Sequence, residues 1–250
     1  MKKVFKITLL IVTLTLIATS CNTKSKPQVV IDENTVAEDF VIQEDTTMVK
    51  VLSLPVYIDS TQYIYHPTKL LSNRTKNDSR RFSISKNSYQ SGNSNSKYSH
   101  YRFNGQYAGF AVENIKTGEI IKITDQEINF SNVKIYNKLE YNPRVEFVLY
   151  EGHDLDTNKD ERLNHRDVSA LFISNLDGSK FKKLSVDFEE YLSYSFLVAN
   201  DKLYFQTVKD LNGDGKYEND DEYLNYVVDL IKEDKQAIRY DTEPAFKQNQ

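Results

Sequence analysis

Apolar and polar positions divide this chain into unlike stretches. An apolar run interrupted only by threonines fills residues 7–17, a polar and acidic stretch without periodicity covers residues 22–47, and β-like patterning begins near Val49. The run Val51, Leu52, Ser53, Leu54, Pro55, Val56, Tyr57, Ile58 is rich in branched and aromatic residues. It predicts strand, with Pro55 marking a sheet edge or a strand start. Residues 72–99 turn to Ser, Asn, Lys and Arg, with Arg74, Lys76, Arg80, Arg81 and Lys86 close together. They read as a long surface loop, with contact to anionic lipid or glycan as the functional alternative. Further on, Leu203, Tyr204 and Phe205 read as strand. Leu224, Val227, Val228 and Ile231 have helical spacing, but the corresponding stretch 170–174 is short and ends at a turn, which favours strands at both places.

The C-terminal half repeats itself. Asp156, Asn158, Asp160 and Asp167 recur as Asp210, Asn212, Asp214 and Asp221, each displaced by 54 residues, and Asn164 maps onto Glu218. A constant offset predicts duplicated structural units over residues 145–240. The apolar pattern tracks it, with Tyr150 matching Tyr204 and Phe172 and Ile173 matching Tyr226 and Val227. Without a twelve-residue loop the repeat is about 42 residues long, close to one four-stranded propeller blade.

The stretch 171–184, with Asp177 and Gly178 at its turn, resembles the strand-turn-strand hairpin of TolB-like β-propeller repeats. The stretch 110–123 has the same shape, with Lys116, Thr117, Gly118 and Glu119 at its turn. The resemblance implies a mainly β fold of propeller type, and an irregular antiparallel repeat domain is its rival. With 17 Tyr and 13 Phe and no Trp, the composition suits pleated, half-buried surfaces. The domain is expected over residues 48–240, with a tail at 241–250.

The N-terminus sets the compartment. Lys2 and Lys3 precede the apolar run, and Ala18, Thr19 and Ser20 follow it, the layout of a secretory signal peptide over residues 1–20. An uncleaved membrane anchor is the competing reading, but the run is short for a span. Cys21 is the only cysteine, so no internal disulfide can form. Ile17, Ala18, Thr19, Ser20 and Cys21 resemble the lipobox of bacterial lipoproteins, with Ala18 where Leu is commonest. The resemblance implies a diacylglyceryl group on Cys21 and a membrane as partner, with residues 21–47 as a flexible tether. The formal charge is −4, and without Lys2, Lys3 and Lys6 there remain 29 basic residues against 36 acidic ones. Such a balance argues against nucleic acid as a partner.

The acidic loops carry the candidate chemistry. In residues 210–221 the oxygen-bearing Asp210, Asn212, Asp214, Glu218 and Asp221 stand at positions 1, 3, 5, 9 and 12, and Lys216 at position 7 offers its carbonyl. A hard cation takes six to eight oxygens, and alternating ligands around a glycine turn supply them. Gly215 stands at the sixth position, where the chain must bend. Tyr217 at the eighth can anchor the loop, and the charge of Lys216 can point to water. The pattern resembles an EF-hand calcium loop, departing at Asp221, where Glu is usual; the shorter side chain implies lower affinity. In residues 156–167, Asp156, Asn158, Asp160, Arg162 (by its carbonyl), Asn164 and Asp167 repeat the pattern, with Glu161 in place of glycine. A left-handed backbone there is costly for a non-glycine, so this is the weaker of two Ca²⁺ sites. It resembles the loops of dockerin modules, which also end in Asp, and Asp154 offers an alternative register. Mg²⁺ fits less well because its geometry is stricter. Asp, Asn and Gly also populate plain surface turns, an explanation that covers one loop more easily than two of identical spacing.

No Gly-x-Ser-x-Gly elbow, phosphate loop or His-Glu-x-x-His is present. His66, His100, His153 and His165 are scattered; His153 and His165 flank the first loop and read as solvated loop residues, being poor ligands for a hard cation. The expectation is a calcium-binding, membrane-anchored cell-envelope lipoprotein without enzymatic activity, presenting a surface to a protein or glycan. An envelope hydrolase or glycan-processing accessory protein stabilised by calcium is the alternative, and a purely structural envelope component the third reading.

Overall fold

The computed structural model describes residues 27–30, 47–72, 99–138 and 145–241. The expected leader, Cys21, residues 242–250 of the expected tail and nearly all of the polar loop expected at 72–99 lie outside the described residues. The protein is mainly β. Its first sheet takes in β1 (Met48–Leu52), β2 (Val56–Tyr57), β3 (Tyr63–Ser72), β4 (Ser99–Asn114), β5 (Ile120–Lys122), β6 (Asn129–Lys138), β7 (Phe147–His153), β8 (Ala170–Ser174) and β9 (Lys182–Lys183). The order is β1-β3-β4-β6-β7-β8-β9, with β2 paired to β3 and β5 to β4. The second sheet is the meander β10 (Glu189–Leu197), β11 (Lys202–Lys209), β12 (Glu222–Asp229), β13 (Ala237–Tyr240). Every pairing is antiparallel, and neither sheet closes on itself. Among the described residues no helix is long and apolar enough to cross a membrane.

The strand predictions near the N-terminus hold, and Pro55 does fall at a break, between β1 and the short β2. A proline lacks the N–H that a ladder needs, so the run divides there. Both turns singled out from sequence also form. Gly178 (φ 84°) donates its N–H to the carbonyl of Asn175 at 3.0 Å, and Gly118 (φ 72°) to that of Asn114 at 2.7 Å.

Two cores share one wall. β7 and β8 are buried on both faces, which is why they read as nearly continuous apolar runs. Val148, Tyr150, Ala170 and Phe172 pack with Phe110 and Phe130 in one core. Phe147, Leu149, Leu171 and Ile173 pack with Leu203, Phe205, Leu224, Tyr226 and Val228 in the other. In the second sheet β11 and β12 face this core with one side only, so burial alternates along them. Buried tyrosines keep their hydroxyls partnered: Tyr65 donates to the carbonyl of Leu176 at 2.7 Å, and the hydroxyls of Tyr150 and Ser174 lie 2.8 Å apart.

The two stretches that carry the acidic loops fold as antiparallel meanders, β6-β7-β8-β9 and β10-β11-β12-β13. In each, the acidic loop joins the second strand to the third. The finer alignment is off by one residue on the entry strand. Tyr150 pairs with Phe172, whereas the partner of Tyr226 is Phe205, which stacks on it at 5.0 Å, and Tyr204 faces Val227. Phe205, not Tyr204, therefore takes the place of Tyr150. The second ladder also runs closer to its loop: Lys209 pairs with Glu222, so Asp210 and Asp221 are the next residues out. The first ladder ends at Gly152 and Ala170. There a glycine is needed because a Cβ would stand 2.8 Å from the carbonyl oxygen of Asn129.

Candidate metal centre

Both acidic loops fold on the same internal frame. In the second loop, Asp210 accepts the N–H groups of Gly213 at 2.7 Å and Gly215 at 2.8 Å, and Asn212 accepts that of Asp214 at 2.9 Å. Asp221 closes the loop by accepting from Glu218 at 2.7 Å and Leu211 at 3.0 Å. In the first, Asp156 accepts from Asp160 at 3.0 Å and Glu161 at 2.6 Å, and Asn158 from Asp160 at 2.9 Å. Asp167 accepts from Asn164 at 2.8 Å and Asn158 at 3.4 Å. The fourth and sixth positions are left-handed in both: Lys159 and Glu161 have φ 55° and 65°, Gly213 and Gly215 both 74°. Short polar side chains that bond backbone amides two to five residues on are what permit so tight a winding.

The donors expected from sequence stand on these frames in two tiers. Asp156, Asp167 and Asp221 are buried, whereas Asp160, Asp214 and Glu218 lie at the exposed rim. Among the described residues, no group of three or more His, Cys, Asp or Glu side chains is gathered as a metal cluster. The carboxylates at positions 1 and 12 each give both oxygens to loop amides. Asp156, Asp167, Asp210 and Asp221 form no ion pair among the described residues. Burial accordingly pushes the carboxyl of Asp167 up to about 7 and raises that of Asp156, against the loop amides that favour their charged forms. The donor set is all oxygen, with two or more carboxylates per loop, which is the chemistry a hard cation takes.

Three residues depart from expectation. Lys216 does not point to water but sits half-buried, 3.5 Å from the carboxylate of Asp214. His153 is buried, its Nδ1 lying 3.3 Å from the carbonyl of Val168, and burial lowers its pKa; His165 is exposed. Asp154, the alternative first ligand, is taken by Lys183 at 2.8 Å. Tyr217 does anchor the second loop, donating its hydroxyl to the carbonyl of Phe188 at 2.8 Å. The first loop is held by Asn129, whose side-chain amide donates to the carbonyl of Leu163 at 2.8 Å.

Two features carry little signal in the sequence. Residues 27–30, within the expected tether, lie across both loops. The carbonyl of Gly215 accepts the N–H groups of Gln28 at 2.6 Å and Val29 at 3.1 Å, and that of Thr157 accepts the N–H of Val30 at 2.9 Å. The hydroxyl of Thr157 returns a bond to the carbonyl of Gln28 at 2.8 Å, and Val29 is buried. The available signal was Val29 and Val30, apolar and β-branched in a polar stretch. The second feature is the pair Glu189 and Glu190 at the start of β10. Glu189 is buried and accepts from Thr207 at 2.6 Å and Tyr226 at 2.9 Å. Glu190 accepts the N–H and hydroxyl of Ser169, both at 2.8 Å, just past the first loop.

No family model matches the chain, and neither the curated proteins nor the solved structures contain a significant match to it.

Proposed function

We propose that this chain is a calcium-binding lipoprotein of the bacterial cell envelope, acting without enzymatic activity as a binding or structural module. The observation that supports calcium most is the recurrence, 54 residues apart, of one loop frame with the same left-handed positions and the same capping carboxylates. Plain surface turns have no reason to keep oxygen-bearing side chains at five matched positions. The loops join strands, not paired helices, so cations there brace hairpins and do not open a sensor. The two meanders are read as blades of a propeller-like repeat, and the lipid anchor rests on the stretch 17–21. A groove of about 670 Å³ between the first loop and β1, bordered by Lys50, Lys122, Glu127, Arg162 and Arg166, is the surface offered to a protein or glycan partner.

Thermal unfolding in calcium and in chelator tests this reading. Each filled loop should add about 2.7 kcal/mol when free calcium stands about a hundredfold above its Kd. Identical melting in both conditions would overturn it.

A further inference from the structure

We infer that residues 27–30 are a strap that clamps the two loops together, so that cation loading and strap docking reinforce each other. The inference rests on the calcium reading for its cation half, but the clamp itself is geometric.

The strap engages each loop through backbone groups. Gly215 is the sixth residue of one loop and Thr157 the second residue of the other, and their carbonyls take the three consecutive N–H groups of Gln28, Val29 and Val30. Thr157 is fully buried, and its hydroxyl both donates to the strap and accepts the N–H of Val168 at 2.9 Å, directly after Asp167. The approach at Gly215 leaves no room for a side chain: a Cβ there would lie 2.1 Å from the carbonyl oxygen of Val29 and 2.8 Å from Pro27. Both contact points belong to the loop winding itself. Gly215 has φ 74° and gives its own N–H to Asp210, so its carbonyl is aimed at the strap only while the loop is wound.

Linkage then works in both directions. A cation that holds the windings rigid presents both carbonyls in the orientation the strap needs, and a docked strap lowers the ordering cost of each loop. One strap across two loops also couples the loops to each other, although no described hydrogen bond joins them directly. For a chain anchored at Cys21, docking would shorten the reach to the membrane. Pro27 stands six positions after Cys21, about 20 Å at full extension, against about 95 Å from Cys21 to Met48.

Amide hydrogen exchange of the full chain, read on Gln28, Val29 and Val30, tests the coupling, with calorimetry of the Val29→Asp variant beside it. The expected result is exchange slowed about tenfold in calcium relative to chelator, and calcium affinity about tenfold weaker at both loops in the variant. Calcium binding with unchanged strap exchange, or with an unaltered titration of the variant, would overturn the strap and leave the calcium reading standing. Absence of calcium binding would overturn both. The exchange measurement needs no substitution, so it tests the strap even where the variant fails to fold.

Discussion

Glu161 and Gly215 occupy the same left-handed turn in two loops 54 residues apart, with φ of 65° and 74°. One position therefore carries a residue suited to its backbone and the other does not. Replacing Glu161 with glycine relieves the left-handed penalty and gives back part of it through a more disordered unfolded chain, a net gain of about 1 kcal/mol. Thermal unfolding in chelator should show a rise of about 2 to 4 °C. A fall would mean that the exposed Glu161 side chain contributes more than its backbone costs.

Gly215→Ala should do the opposite, and more strongly. Its Cβ would meet the backbone of Val29, which cannot move aside as a side-chain tip can, and the left-handed φ adds its own cost. We expect a loss of about 3 kcal/mol in denaturant unfolding. A variant as stable as the parent would show that the strap is not held where it lies.

The pH response of the first loop follows from Asp167. Its carboxyl is raised from 3.8 to about 7 by burial, so the cation-free fold holds a proton that the unfolded chain releases near 4. The stability contributed by this group is complete below pH about 4 and declines as pH rises to about 7. A cation must displace the same proton, so calcium affinity of the first loop should fall about tenfold per pH unit below about 7. Calorimetry at several pH values with Asp214→Ala, which isolates the first loop, checks the slope; a flat profile would contradict it.

Glu189 holds Thr207 and Tyr226 together inside the second sheet. Glu189→Ala leaves two buried hydroxyls without their acceptor and should cost about 2 to 3 kcal/mol in urea unfolding, whereas Tyr226→Phe should cost about 1 kcal/mol. Equal costs for the two would place the effect in packing, not in the hydrogen bonds.

Much of this architecture could be read in the chain. Hairpins announced by Asp177-Gly178 and Thr117-Gly118 formed where expected, because a turn residue with positive φ is a local requirement. The loop spacing was legible for the same reason, since it is written in consecutive side chains. Other features depend on distant parts of the chain. Nothing local in Gln28 and Val29 reveals that Gly215 lies beneath them. The displacement of Tyr204 by Phe205 is likewise invisible to an offset count, because the second ladder continues to Lys209 and Glu222 while the first stops short of its loop. His153 has the sequence surroundings of a loop histidine, yet it closes β7 and is buried against Val168.

Calorimetric titration of the full chain with calcium, with and without Asp214→Ala, addresses the central claim most directly. Two bound cations per chain, falling to one in the variant, is the predicted result. No binding heat, together with a melting temperature indifferent to chelator, would contradict it.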